Sequence, residues 1–290
     1  MIRTCRRLSR LLLALASIHA FAQSFPISVV PSQVEAGSPV LLHLDAPATA
    51  IVEGSWLGRK IQFFPAENGH GWFALAGADV EAPTGASQIE VSVRSGNDVK
   101  KLSRSLEIHP AHYRTGSLTV APRFVEPDAA SLALIKAEAG LKAKIFTTSA
   151  AEPLWSSSFH APVAAPPTDS FGTRRMFNGK LASIHKGMDF RSPSGTPVHA
   201  ANSGVVVLAR PLYYEGNCVV IDHGLGLYTI SMHLSRIDVK EGQNLAAGEL
   251  LGLSGATGRV TGPHLHWAVR WRDAYLDPAK LLRLDLSSVR

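Results

Sequence analysis

The residues with the greatest chemical reach lie in the run TGRVTGPHLHWAVRW near the C-terminus. After Pro263, the residues His264, His266, Ala268 and Arg270 alternate with Leu265, Trp267, Val269 and Trp271. Strand side chains alternate with period two, so both imidazoles project from one face while the apolar set anchors the other. Two histidines one strand step apart suit a first-row metal, or one metal ligand beside one catalytic base. Upstream, His185 and Asp189 stand four apart in HKGMD and offer one neutral nitrogen and one anionic oxygen, both suited to zinc. The turn-rich FRSPSGTP that follows places this pair on a strand end or loop, and Gly187 lets the backbone bend so that the two side chains converge. His185, Asp189 and one histidine of the later pair make three protein ligands and leave a fourth position for water. A structural zinc would be closed by four protein ligands, commonly cysteines, and this chain has only 2 cysteines. The pattern is that of an open, catalytic metal centre.

A further histidine, His233, lies in YTISMHLSRI, which reads as a strand with Tyr228, Ile230 and Met232 alternating against Thr229, Ser231 and His233. Taken together, His185-x-Gly-x-Asp189, Met232-His233-Leu234 and Gly262-Pro263-His264-Leu265-His266 resemble the LytM/lysostaphin-type zinc metallopeptidases, which cut peptide cross-links in bacterial cell walls. The resemblance covers roughly residues 171–280, including FGTRRMFNGK and GTPVHAANSGVVV. It implies that His185, Asp189 and His266 hold Zn2+ and that His233 and His264 are unligated catalytic histidines. It also implies a peptidoglycan substrate and a twisted antiparallel sheet with a narrow groove for an extended peptide. With an export leader and no recognisable wall-binding repeat, D-alanyl–diaminopimelyl bonds are favoured over glycine bridges. Two readings from other classes stand beside this one. A non-enzymatic LytM-type regulator of cell-wall amidases is opposed by five intact key positions, and a wall-binding module with structural zinc is opposed by the missing fourth ligand.

Other candidates carry simpler readings. His43, His70, His109, His112 and His160 read as surface or core histidines, His199 as a half-exposed strand residue, and His223 as a hairpin residue and at best a groove candidate. Arg174 and Arg175 either meet a substrate carboxylate or face opposite ways and pair with surface acids. Thr257 and Thr261 serve equally as donors behind His264 or as turn formers.

The elements that must position these residues follow from pattern and punctuation. Arg3, Arg6, Arg7 and Arg10 precede LLLALASI, and Ala20-Phe21-Ala22 supplies a cleavage pattern, so residues 1–22 read as a signal peptide of a periplasmic or secreted protein. No later segment is apolar enough for a membrane span. The chain has a formal charge of +6; losing four arginines with the leader leaves 25 basic against 23 acidic residues, about +2. Nucleic acid therefore has no support as a partner. Cys218, in GNCVVID, is predicted to be a buried, unpaired thiol. Residues 23–110 read as a mainly β, immunoglobulin-like sandwich without the usual disulfide, with Ile89, Val91 and Val93 on a half-buried strand. A helix is predicted over about 128–146, with Leu132, Ile135 and Ala139 on one face and a Glu138–Lys142 surface pair. A Pro/Ala-rich linker to residue 170 follows, in which Trp155 and Phe159 either anchor to a neighbouring surface or lie across the groove. An antiparallel β metallopeptidase domain over 171–283 completes the chain.

Overall fold

The computed structural model describes residues 26–67, 69, 71–118, 121–124, 126–177 and 180–289. The leader read at residues 1–22, and His70, lie outside the described residues. Strands dominate. In the N-terminal half, the first sheet runs in the spatial order Ile27–Val30, Pro39–Leu44, Trp72–Gly77, Phe64–Pro65. The facing sheet runs Val34–Glu35, Asp98–His109, Gly85–Ser95, Ile51–Trp56, Arg59–Gln62. These orders are those of an immunoglobulin-like sandwich, in which one strand of the second sheet supplies a buried tryptophan. Trp56 takes that place, 1% exposed, with its indole N–H donating to Ser87 Oγ at 3.1 Å. Ile89, Val91 and Val93 point inward from Gly85–Ser95 as their alternation requires.

The C-terminal half is built on an antiparallel sheet ordered Pro167–Asp169, Met188–Phe190, Leu265–Trp271, Leu227–Leu234, Gly216–Asp222, Gly204–Leu212, Asn244–Leu245, with Ala274–Leu276 also paired to Leu265–Trp271. Leu265, Trp267, Val269 and Trp271 enter the large core, which is continuous with that of the sandwich. The opposite face carries Ala268 with Leu208, Cys218, Val220, Tyr228 and Ile230, a smaller core of its own. Cys218 is a buried free thiol there, as expected. The two halves dock through the C-terminal end. Leu276 abuts Gly77, Val80 N–H donates to Tyr275 O, and Lys280 and Arg59 pair with Glu35 and Asp273 at 2.6 Å each.

The helix spans Ala129–Ile145, and Asp128 caps it by accepting from Ser131 N–H at 2.8 Å. Its orientation corrects the expected face. Leu132 is 54% exposed and Ala139 also faces solvent, while Leu141, Ile145 and the following Phe146 cover the smaller core. The reason is that the apolar set is not periodic: leucines and alanines occupy every face, so the receiving surface decides which of them turn inward. Glu138 and Lys142 do not pair with each other either; both reach across to the turn Tyr213–Glu215. The linker is anchored. Trp155 stacks edge-on to Phe64 at 5.6 Å and Phe159 edge-on to His223 at 5.0 Å, both away from the groove described below.

His223 is fully buried, its Nδ1 paired with Ser203 O at 2.7 Å and its Nε2 with Thr229 Oγ1 at 2.8 Å. It is a core residue and does not face the groove. Burial pushes its pKa down to about 4. The unfolded chain, with an ordinary histidine near 6.5, therefore takes up the proton first, and stability falls as pH drops from 6.5 towards 4. This residue is expected to cost about 2 kcal/mol between pH 7.5 and pH 5. Urea unfolding of the parent and His223→Asn at the two pH values checks this; an equal loss in the variant would show that His223 is not the group responsible.

Candidate metal centre

Asp189 sits in the middle of Met188–Phe190, directly opposite His266 in the register with Leu265–Trp271. Residues paired across antiparallel strands share a face, so sheet geometry alone delivers this carboxylate and this imidazole to one spot. His185 arrives from the segment before the strand, its N–H bonded to Thr173 O at 2.9 Å. His185 Nε2 lies 3.0 Å from Asp189 Oδ1 and 2.9 Å from His266 Nδ1, and His266 Nδ1 is 2.8 Å from Asp189 Oδ1. All three residues are buried, and their donor atoms cluster within 4.8 Å. The other ring nitrogen of His185 faces Ser170 O at 3.0 Å and Asp169 Oδ2 at 3.3 Å, so Nδ1–H donates outward and the Nε2 lone pair points into the cluster. Burial pushes His266 down to about 4, leaving it neutral with a lone pair to offer. Burial alone would raise Asp189, but the close approach of the His185 and His266 imidazoles more than offsets it and holds the carboxyl well below the usual range. Two neutral nitrogens and one carboxylate oxygen fit a first-row divalent cation. Gly187 sits at the expected bend and also serves close approach: a Cβ there would stand 2.5 Å from His266 Nε2 and 2.7 Å from Trp267 O.

His233 and His264 border the cluster, their rings 5.0 Å apart, with His233 6.0 Å from His266. His264 follows its strand alternation and brings Nε2 to 3.8 Å from Asp189 Oδ1, while Nδ1 donates to Gly262 O at 2.8 Å. His233 does not follow the expected alternation. Met232 pairs with His266, so a regular strand would turn His233 to the opposite face. Instead His233 has φ +65, and the pairing with Gly216–Asp222 slips by one residue between Asn217 and Val219. This left-handed bulge swings the imidazole back towards the cluster. Its N–H donates to Glu215 O and its Nδ1–H to Thr257 O, both at 2.9 Å, so Nε2 is the nitrogen left for chemistry. Burial, reinforced by His266 and His264, pushes its pKa down to about 3.

Two residues not singled out for this spot belong to it. Arg175 Nη2 donates to Asp189 Oδ2 at 2.6 Å and to Asp169 Oδ2 at 2.8 Å, tying the carboxylate's second oxygen to a cation. Asp169 also accepts from Thr173 Oγ1, and it lies just before the boundary at 171 set from the sequence. The Arg174-Arg175 pair was the available signal, since adjacent strand residues face opposite ways and only Arg175 turns to the acids. Thr257 acts through its carbonyl on His233 and through Oγ1, which bonds Leu234 O and Asn217 N–H. His199 lies on Pro197–His199, apart from the cluster. The centre opens into a groove of about 1210 Å³ whose lining includes Arg114, Thr115 and Gly116 as well as Arg191, Tyr214 and Arg259. Thr115–Leu118 pairs in parallel with Arg174–Phe177, so the N-terminal half completes this wall.

Residues 183–278 match the family model described as Peptidase family M23. The peptidoglycan DD-endopeptidase ShyA of Vibrio cholerae is 50% identical over 101 residues, 34% of this chain and 24% of that protein. The DD-carboxypeptidase/endopeptidase Mpg of Neisseria meningitidis is 40% identical over 98 residues, 34% of this chain and 23% of that protein. The chain thus spans about a quarter of the length of these curated relatives. A solved structure of a peptidase M23 from Pseudomonas aeruginosa is similar over 86% of this chain and 95% of its own, with 26% identity and a TM-score of 0.67. The likeness therefore extends well beyond the metal centre into the sandwich.

Elemental analysis of the purified chain is expected to find one divalent cation per molecule and to find it missing from Asp189→Ala. Arg175→Gln is expected to hold the cation roughly 10–100-fold more weakly, the usual cost of losing a group that orients a ligand. Parental cation content in Asp189→Ala would remove this cluster from consideration.

Proposed function

We propose that this chain, whose residues 183–278 match the model of peptidase family M23, is an exported zinc metalloendopeptidase that hydrolyses peptide cross-links of bacterial peptidoglycan, D-alanyl–diaminopimelyl bonds in particular. The observation that carries this reading is the pairing of a buried three-donor cluster with two histidines whose Nε2 atoms are uncommitted, all at the floor of one groove. The names of the relatives support the substrate class, and the residues read as a leader support export.

His185 Nε2, Asp189 Oδ1 and His266 Nδ1 would hold the zinc. When bound, it supplies Lewis acidity towards water and the scissile carbonyl. The protein's own residues do the rest. Arg175 keeps the second oxygen of Asp189 occupied, which fixes the carboxylate's orientation. His233, neutral and locked by Thr257 O, presents Nε2 as a hydrogen-bond acceptor that orients the attacking water. His264, with its side chain 19% exposed and Nε2 near Asp189, is the residue placed to carry a proton from that water to the leaving amine. The groove walls from both halves would hold an extended peptide against these groups.

Digestion of purified cross-linked muropeptide dimers, with products weighed by mass spectrometry, is expected to give monomers cut at the D-alanyl–diaminopimelyl bond. His233→Ala and His264→Ala are expected to retain the cation while turnover falls by roughly two to four orders of magnitude. Dimers left uncut by metal-loaded protein would instead favour a regulator of other wall enzymes. Loss of the cation from either histidine variant would move that residue into the ligand set.

A further inference from the structure

The connecting helix buries none of its residues, yet two of its charged side chains are spent on one short turn beside the metal centre. Both carboxylate oxygens of Glu138 accept from Tyr213 N–H, at 3.1 and 3.0 Å. Lys142 forms an ion pair with Glu215, whose other carboxylate oxygen is buried without a partner among the described residues. The segment before the helix grips the same turn. Tyr213 Oη donates to Arg123 O at 2.8 Å, and Phe124 packs edge-on to Tyr213 at 5.5 Å.

That turn leads directly to His233. Glu215 O receives the His233 N–H, the bond that accompanies its left-handed backbone. Tyr214 O receives Arg259 N–H at 2.9 Å, and the Arg259 guanidinium lies over the Tyr214 ring at 4.4 Å. Gly216 and Gly258 bring the turn and the 257–259 segment into contact, since a Cβ on Gly258 would collide with Gly216 N. The same segment supplies Thr257 O, which holds His233 Nδ1. The backbone N–H and the ring Nδ1 of His233 therefore end on two stitched segments, and one of these is braced by the helix.

We propose that Glu138 and Lys142 are positioning residues: through the turn Tyr213–Glu215 they hold His233 in its off-register, left-handed placement and fix Tyr214 and Arg259 at the groove wall. A helix that only covered the smaller core would need Leu141, Ile145 and Phe146 alone. A non-glycine residue at positive φ persists only where its surroundings over-determine it, and the brace supplies that constraint from outside the sheet. The kinetic side of this inference rests on the proposed role of His233 in hydrolysis.

The test uses the full chain with Glu138→Gln, Lys142→Met and Lys142→Arg. Amide hydrogen exchange followed by NMR is expected to quicken roughly tenfold at His233 and Arg259 in the first two variants, the scale of one lost charge-assisted bond. Ile230, in the sheet interior, stays unchanged, and Lys142→Arg restores protection. On muropeptide dimers, kcat is expected to fall roughly tenfold with KM unchanged, and this loss should vanish in a His233→Ala background. Unchanged exchange at His233, uniform loss of protection including Ile230, or a full additive loss beside His233→Ala would each overturn the brace. A parent that cuts no dimers would sink the peptidase reading instead, while exchange still decides the brace.

Discussion

A carboxylate withdrawn from water has to be surrounded by donors or cations, and Asp189, 6% exposed, imposes that requirement on everything near it. One oxygen faces His185 and His266; the other is held by Arg175, which is itself shared with Asp169. Removing one partner of such a buried pair typically costs about 3–5 kcal/mol, because the remaining charge is stranded. The strand Met188–Phe190, the hairpin that carries Arg175 and the approach through Ser170 are therefore coupled through a single side chain. That coupling explains why a module as distant in sequence as Thr115–Leu118 can matter to the centre. It pairs with the strand bearing Arg175 and so steadies the guanidinium that steadies Asp189.

The sheet contributes direction and the loops contribute exceptions. Cross-strand register places Asp189 against His266 with no special device, whereas His185 and His233 reach the same spot only through irregular backbone. The two kinds of residue differ in what supports them. His266 has a strand on each side, while His233 depends on carbonyls of two surface segments. Precision at the periphery of the centre is thus a property of turns that the rest of the chain must hold still.

Much of this was legible in the sequence, for identifiable reasons. Period-two alternation around His264 and His266 reports the face of a strand, and that face is what the fold used. The spacing of His185 and Asp189 pointed to these residues and one later histidine, because ligand chemistry restricts residue type as well as position. Which of the later pair the fold gathers with them, His266, was given by the family resemblance and not by the spacing. Alternation failed at His233, since a one-residue slip leaves no trace in composition. The partnership of Arg175 and Asp169 was not legible, because it exists only after the hairpin closes over Asp189. Gly187 makes the bend its sequence context suggests, and for a second reason that was not legible it must lack a side chain: the imidazole of His266 occupies the space one would need. The face of the helix was not legible either, because its alanines and leucines are distributed around the whole circumference.

The backbone at position 233 also separates two demands, one conformational and one chemical. A residue at φ +65 is tolerated best when it is glycine or asparagine, with histidine acceptable and β-branched residues worst. A saturation library at this codon, sorted for folded protein, would enrich the residues that relax the backbone. The same library sorted for the hydrolysis proposed above would return the residue that supplies a second nitrogen. If His233 acts as proposed, drift at this site has an easy exit in conformational terms and none in chemical terms, so descendants that lose the activity would be recognisable by what replaces His233 before any other member of the constellation changes.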